Sequence, residues 1–300
     1  MDIIKVKENT YCIDTGMTYI PFYKIDNQRI IMLDTGWKSG EGKGIEAVLE
    51  KNNFKVSAIL NSHAHIDHIG SNSYFKEKYN SIIAMSFREA FICSSETNLK
   101  LYYESQTMSS VKEHYSHMVC KADIIIEEDQ DEVVLCGIKF GIIHTKGHSP
   151  DHISIITPDD VIYVGDALIS YEVMKGAKMP YDFILSEDMK SKAKLYDLNC
   201  SKYVVAHRGI YDNIKNLIDD NIDFYESRAM AICEVIKEPM TIEQILKDVI
   251  GKFHINVGTI YKYYVVERML RSYLDYLNDI GILKLTIEDG FLKYGKLELS

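Results

Sequence analysis

The sequence predicts an α+β protein in which strands are covered by helices and a small helix-and-hairpin unit closes the chain. Three observations carry that expectation: short β-branched runs that end in polar, histidine-bearing loops, helical segments between them, and a loss of strand-like texture after His207.

The strand-like runs are "RIIMLDTG" (Arg29 to Gly36), "VSAILNSHAH" (Val56 to His65), "IKFGIIHTKGH" (Ile138 to His148), "HISIITP" (His152 to Pro158), "VIYVGD" (Val161 to Asp166) and "KYVVAH" (Lys202 to His207). Helices are expected at Gly44 to Lys51, Ser73 to Tyr79, Ser86 to Cys120 with breaks, and Ser186 to Leu198. From Asp212 to Lys237 the chain is charged and amphipathic, as a connecting helix would be. Thr241 can cap the short helix "MTIEQILKDV", a longer helical stretch halts at Gly281, and Asp289-Gly290 sits between two apolar runs as a hairpin turn would. The expected organisation is residues 1–211 as the main domain, 212–237 as a connecting helix and 238–300 as a winged-helix-like unit. The glycine-rich "DTGWKSGEGKGIEAVLE" follows a strand and opens a helix, but Gly40, Gly42 and Gly44 match no phosphate-loop spacing. A strand-to-helix loop is the better reading.

Composition narrows the function classes. Three hundred residues with 46% hydrophobic content can bury a sizeable core, and a formal net charge of −10 weighs against broad attraction to nucleic acid or anionic membrane. No basic leader with an apolar run and no membrane-length apolar stretch is present, so a cytoplasmic protein is expected. The six cysteines are scattered without a C-x-x-C pair, which fits reduced thiols rather than a disulfide framework.

The chemistry concentrates in "NSHAHIDHIG", Asn61 to Gly70. On an extended segment residues two apart point the same way, so His63 and His65 can present two nitrogens to one metal. Asp67 and His68 follow the turn and can face a second metal beside the first. His148 in "TKGHSPDH", Asp166 in "YVGDAL" and His207 in "VVAHRG" each follow a strand-like run, and so can converge on one edge of a sheet. Chance gives H-x-H-x-D-H in only on the order of one in a thousand chains of this length, which favours metal ligation over unrelated polar positions.

These motifs in this order closely resemble the metallo-β-lactamase superfamily over roughly Met1 to Ile210. The resemblance implies an αβ/βα sandwich with two metals in a groove at its edge. Carried over position by position, it implies His63, His65 and His148 on the first metal, Asp67, His68 and His207 on the second, and Asp166 bridging them. Asp34 in "LDTG" would support the ligands from behind. Asp166 and the complete Asp67-His68 pair look like the branch holding glyoxalase II-type thioesterases, nucleases, phosphodiesterases and lactonases rather than the antibiotic-hydrolysing enzymes. Two divalent cations lower the pKa of a bridging water, so a hydroxide can attack an ester-type bond, with Asp67 holding it or taking its proton. The all-N/O ligand set suits zinc first, and also manganese or iron.

A thioester or other small acyl ester is the expected substrate class. The alternatives are RNA or another phosphodiester cleaved by the same centre, and a metal- or ligand-sensing regulator whose terminal unit contacts DNA. Residues 237–300 carry nine basic and nine acidic side chains, which is no nucleic-acid footprint. A single-iron persulfide dioxygenase is a further alternative, disfavoured by the complete second ligand set. Arg208, Tyr171 and Tyr181 are candidate substrate contacts, and the aromatic stretch from Phe87 to Met118 either packs on the sheet or forms a lid. His152 is not needed to complete the ligand set, so a surface or packing role is expected for it.

Overall fold

The computed structural model describes residues 1–38 and 41–297. Gly40 of the glycine-rich loop and residues 298–300 of the expected terminal unit lie outside the described residues. Two sheets pack face to face. The first runs in chain order: β1 (Asp2–Lys7), β2 (Thr10–Asp14), β3 (Tyr19–Lys24), β4 (Arg29–Leu33), β5 (Lys55–Leu60), β6 (Ile82–Ser86) and β7 (Ile124–Ile126). It is antiparallel up to β4 and parallel beyond. The second comprises β8 (Glu132–Leu135), β9 (Ile138–His144), β10 (Ile153–Ile156), β11 (Val161–Gly165), β12 (Lys202–Val205) and β13 (Gly209–Tyr211), and only its β11/β12 pair is parallel.

Strand periodicity builds the layers. In β4, Ile31 and Leu33 enter the core between the sheets, whereas Ile30 and Met32 face helices on the outer side with Ile45, Leu49 and Phe75. In β11, Val161 and Tyr163 point inward, and Ile162 and Val164 meet Leu217 and Ile218 of the helix Lys215–Cys233. The result is helix, sheet, sheet, helix. The apolar runs at the parallel strands follow from burial on both faces.

The helix Lys215–Cys233 belongs to two cores. Its first half packs on the second sheet, while Tyr225, Ala229 and Ile232 join Leu246, Leu270 and Tyr273 of the terminal helices. Those helices span Ile242–Phe253 and Ile260–Asp279, and Thr241 with Gln244 forms a capping box at the start of the first. The hairpin β14 (Leu283–Glu288) and β15 (Phe291–Lys296) turns through Asp289 and Gly290 at φ +53° and +79°, the pair of positive angles a two-residue turn of this hand requires. Met240 pairs with Tyr294 beside it. Among the described residues no helix is long and apolar enough to cross a membrane.

Three further short strands occupy the region before Arg29, and β3 contains Pro21. The helical stretch expected from Ser86 to Cys120 with breaks is three short helices, Phe87–Ile92, Glu96–Tyr102 and Met108–Tyr115, with Ser95 and Thr107 each capping a new one. The glycine-rich loop opens its helix with the buried Glu41, which accepts from Trp37 N at 2.7 Å and from Thr18 Oγ1 at 3.2 Å.

Candidate metal centre

Every histidine and aspartate singled out for metal binding lies just beyond a strand of the sandwich, at one edge. His63 and His65 follow β5, the short helix Ile66–Ile69 presents Asp67 and His68, and His148, Asp166 and His207 follow β9, β11 and β12. Their ligand atoms fall into two triplets, His63/His65/His148 and Asp67/His68/His207, each with its atoms within 4.8 Å of one another. In the first, His65 Nδ1 stands 2.9 Å from His63 Nε2 and 3.0 Å from His148 Nε2. Three nitrogens around a tetrahedral zinc would be separated by about 3.3 Å, so the spacing fits one ion. In the second, His207 Nε2 and His68 Nε2 lie 3.4 and 3.8 Å from Asp67 Oδ2.

One oxygen joins the triplets. Asp166 Oδ2 is 3.4 Å from His148 Nε2, and 3.4 Å also from both His68 Nε2 and His207 Nε2. His68 Nε2 and Asp166 Oδ1 are buried without a hydrogen-bond partner, the condition expected of atoms whose partner is a cation. Burial, and then the neighbouring imidazoles, hold His63 and His65 well below the ordinary histidine value, so both rings are neutral and their lone pairs free. Burial opposes charge on His68 and His207, but Asp166, Asp67 and, for His68, Asp34 outweigh it; His207 is pushed up to about 10. Burial also disfavours the charged Asp67 and Asp166, yet those same imidazoles hold both carboxyls below the usual range. The cluster thus attracts positive charge, and its donor set suits divalent metals.

The other nitrogen of four rings is anchored. Ser62 Oγ meets His63 Nδ1 at 2.9 Å, Tyr102 Oη meets His65 Nε2 at 2.9 Å, Asp34 Oδ2 meets His68 Nδ1 at 2.8 Å and Asp182 Oδ1 meets His148 Nδ1 at 3.2 Å. These bonds fix which nitrogen faces the site. Asp34 also forms a triplet with His63 and His68. Its oxygens already accept from Ser62 N, Ser62 Oγ and Tyr163 Oη at 2.8, 2.6 and 2.8 Å, which makes it a hydrogen-bond hub behind the ligands.

Four supporting residues have no signal in the sequence. Buried Glu89 accepts from Ala64 N at 2.8 Å and from Asp151 N and Ser149 Oγ at 2.7 Å, clamping the His63 loop to the His148 loop. His152 sits fully buried beneath the site, where its Nε2 accepts from Asp166 N at 3.1 Å and its Nδ1 meets Thr145 Oγ1 at 2.8 Å. Tyr102 and Asp182 orient His65 and His148 from distant segments. Only the residue types, without partners, are visible along the chain.

Of the three candidate substrate contacts, Tyr181 lines a cavity of about 350 Å³ together with His65, Asp67, His148, Asp166 and His207. The other two lie outside it. Arg208, in the left-handed region at φ +64°, turns toward Glu172 at 2.9 Å, and Tyr171 donates to Asp220 at 2.8 Å. The aromatic stretch divides: Tyr103, Tyr115 and Met118 enter the core, Tyr102 reaches His65, and Phe87 and Phe91 are exposed.

A family model described as the Metallo-beta-lactamase superfamily matches residues 13–207. The "Hydroxyacylglutathione hydrolase" of Pelagibacter ubique is 24% identical over 250 residues, covering 79% of this chain and 90% of that protein. The "Beta-lactamase-like protein 2 homolog" of Caenorhabditis elegans is 22% identical over 233 residues, 77% of this chain but 65% of that protein, so the chain spans less than two thirds of that relative's length. Among solved structures, a metallo-beta-lactamase family protein from Thermus thermophilus superposes with a TM-score of 0.70 at 16% identity, over 93% of this chain and 94% of that one. A beta-lactamase domain protein from Burkholderia ambifaria gives the same score and identity over 99% and 94%. At that identity the likeness is one of fold.

Proposed function

The chain belongs to the metallo-beta-lactamase superfamily, and from that premise we propose that this metal-dependent hydrolase cleaves a thioester or other small acyl ester with two divalent ions, zinc first among them. The observation that carries the proposal is the single Asp166 oxygen lying 3.4 Å from nitrogens of both triplets. In this reading His63, His65 and His148 would hold one ion and Asp67, His68 and His207 the other, with Asp166 as the carboxylate available to both. Ions bound there would lower the pKa of a water toward neutrality and polarise the scissile carbonyl.

The remaining steps fall to the chain. Asp67, whose side chain keeps 23% exposure, would hold the attacking water or take its proton. Tyr102 keeps His65 Nδ1 turned toward the ion, and Asp182 does the same for His148 Nε2. Apart from the candidate ligands, the described residues lining the cavity include no carboxylic acid. Burial pushes the Tyr181 phenol up to about 12, which makes it a weak proton donor. A leaving group that departs unprotonated suits such a site, and a thiolate, with a thiol pKa of about 8.5, does so far more readily than an alkoxide. The relatives named hydroxyacylglutathione hydrolase support the same class. The cavity's volume is that of a small-molecule site, which favours this reading over RNA.

We place the protein in the cytoplasm, in keeping with six unpaired cysteines, four of them buried. The division at 1–211, 212–237 and 238–300, with a winged-helix-like last unit, is proposed from the hairpin and capped helices described above. The test is elemental analysis of protein purified without added metal, paired with a screen of thioesters, lactones, phosphodiesters and RNA. Near two metals per chain with thioester turnover is expected. Turnover confined to RNA, or one iron with oxygen consumption, would overturn the proposal.

A further inference from the structure

Arg268 lies midway along the helix Ile260–Asp279, and its guanidinium carbon stands 4.1 Å from the centre of the Tyr102 ring and 4.8 Å from those of Tyr103 and Tyr181. Its neighbour Arg271 pairs with Glu267 at 3.7 Å. Among the described residues Arg268 itself forms no ion pair, and its Nη2 is buried with no hydrogen-bond partner. The buried Tyr181 hydroxyl is also without a partner. Two donors therefore meet in one place, where the acceptor at hand is the Tyr102 hydroxyl, already engaged with His65 Nε2.

That place is the wall of the metal cavity. Arg268 and Tyr181 line both the 350 Å³ space that holds the metal-facing residues and an adjoining groove of about 790 Å³. Tyr102, on which Arg268 stacks, is the residue bonded to His65 Nε2, so one side chain separates the guanidinium from a ligand imidazole. The groove also carries Glu104, Glu267 and Asp275, of which Glu267 is engaged by Arg271.

A half-buried guanidinium with one N–H group out of water and no counter-charge is costly, and stacking on aromatic rings offsets only part of that. With tyrosines against its faces, its N–H edge remains, and that edge matches an oxyanion. We propose that Arg268, aided by the Tyr181 hydroxyl, binds an oxyanion of the substrate, a carboxylate or phosphate on the arm opposite the scissile carbonyl. The preferred substrate is then an anionic thioester. This deepens the ester-hydrolase proposal and rests on it for the identity of the molecule that carries the anion.

The test uses the metal-replete full chain and three matched thioethers that cannot be hydrolysed, ending in a carboxylate, a phosphate monoester or a neutral carboxamide. Binding is measured by calorimetry, and kcat/KM is measured for the corresponding thioesters. The wild type should prefer one anionic probe over the neutral one by about 10- to 100-fold, and which anion wins identifies the group. Arg268→Met should bring that ratio close to one, and Arg268→Lys should retain part of it. If Arg268→Met loses its circular dichroism spectrum, Arg268→Lys and Tyr181→Phe must still each lower the ratio. Thioester turnover with equal affinity for all three probes would overturn the oxyanion site and leave the ester-hydrolase proposal standing. Arg268-dependent anion preference with no ester turnover would keep the oxyanion site and overturn the reaction.

Discussion

Glu89 is the sharpest point at which to perturb the metal centre without touching a ligand. Its carboxylate receives three hydrogen bonds of 2.7–2.8 Å, one from the His63 loop and two from the His148 loop, while buried to 1% exposure. Glu89→Gln keeps the shape but replaces one acceptor oxygen with an NH2 donor. At least one buried donor then loses its partner, at about 1–3 kcal/mol, and the bonds that survive lose the charged acceptor's extra strength, about 1 kcal/mol each. The sum is about 3–5 kcal/mol, equivalent to a fall in Tm of roughly 6–15 °C for a chain of this size. Because the clamp sets the spacing of His63 and His65 against His148, metal affinity should also drop by about 10- to 100-fold. Thermal melts with and without metal, together with competition against a chromophoric chelator, read both effects. A Gln variant that melts and holds metal like the wild type would refute the claim that this carboxylate ties the two loops together.

Other expectations follow the same logic. Asp34→Asn removes the acceptor of the His68 Nδ1 bond and of Tyr163 Oη, so metal affinity measured by chelator competition should fall about 10-fold or more with the three other ring anchors intact. Gly147 adopts φ +131°, and a Cβ there would lie 2.1 Å from Asp188 N, so Gly147→Ala should displace the helix Leu185–Lys194 and cost at least about 3 kcal/mol in denaturant unfolding. Burial, then Asp182, push the Asp188 carboxyl up to about 7 against the pull of Lys192. An acid raised on folding binds more protons in the native state, so stability should decline as pH rises from about 4 to 7. Asp188→Asn should flatten that slope in melts across the window, while lowering overall stability by about 3 kcal/mol because the Lys192 ammonium is left unpaired.

The sequence carries those parts of the account that are local. His63 to His68 form a cluster because their shared position after one strand is written in consecutive residues, and Asp289-Gly290 announces its turn through two backbone angles that only such residues adopt readily. Asp166 and His207 are legible because each ends a strongly β-branched run. The parts that depend on pairing across the chain are not legible. Glu89 is one acidic residue in an amphipathic stretch until the fold brings Ala64 and Asp151 to it, and Arg268 is one cation in a tyrosine-rich helix until Tyr102 and Tyr181 enclose it. Arg208 shows the converse. Its place beside His207 suggests a substrate contact, but a left-handed backbone angle sends the side chain to Glu172.

The central claim is that two ions, held by the two triplets and shared through Asp166, carry out the hydrolysis. The most direct test is to titrate metal-free protein with zinc, and in parallel with manganese and iron(II), while following thioester turnover. The account predicts that activity rises to a break at two equivalents per chain and that Asp166→Ala shows no such break. Full activity at one equivalent, or turnover in the metal-free protein, would contradict it.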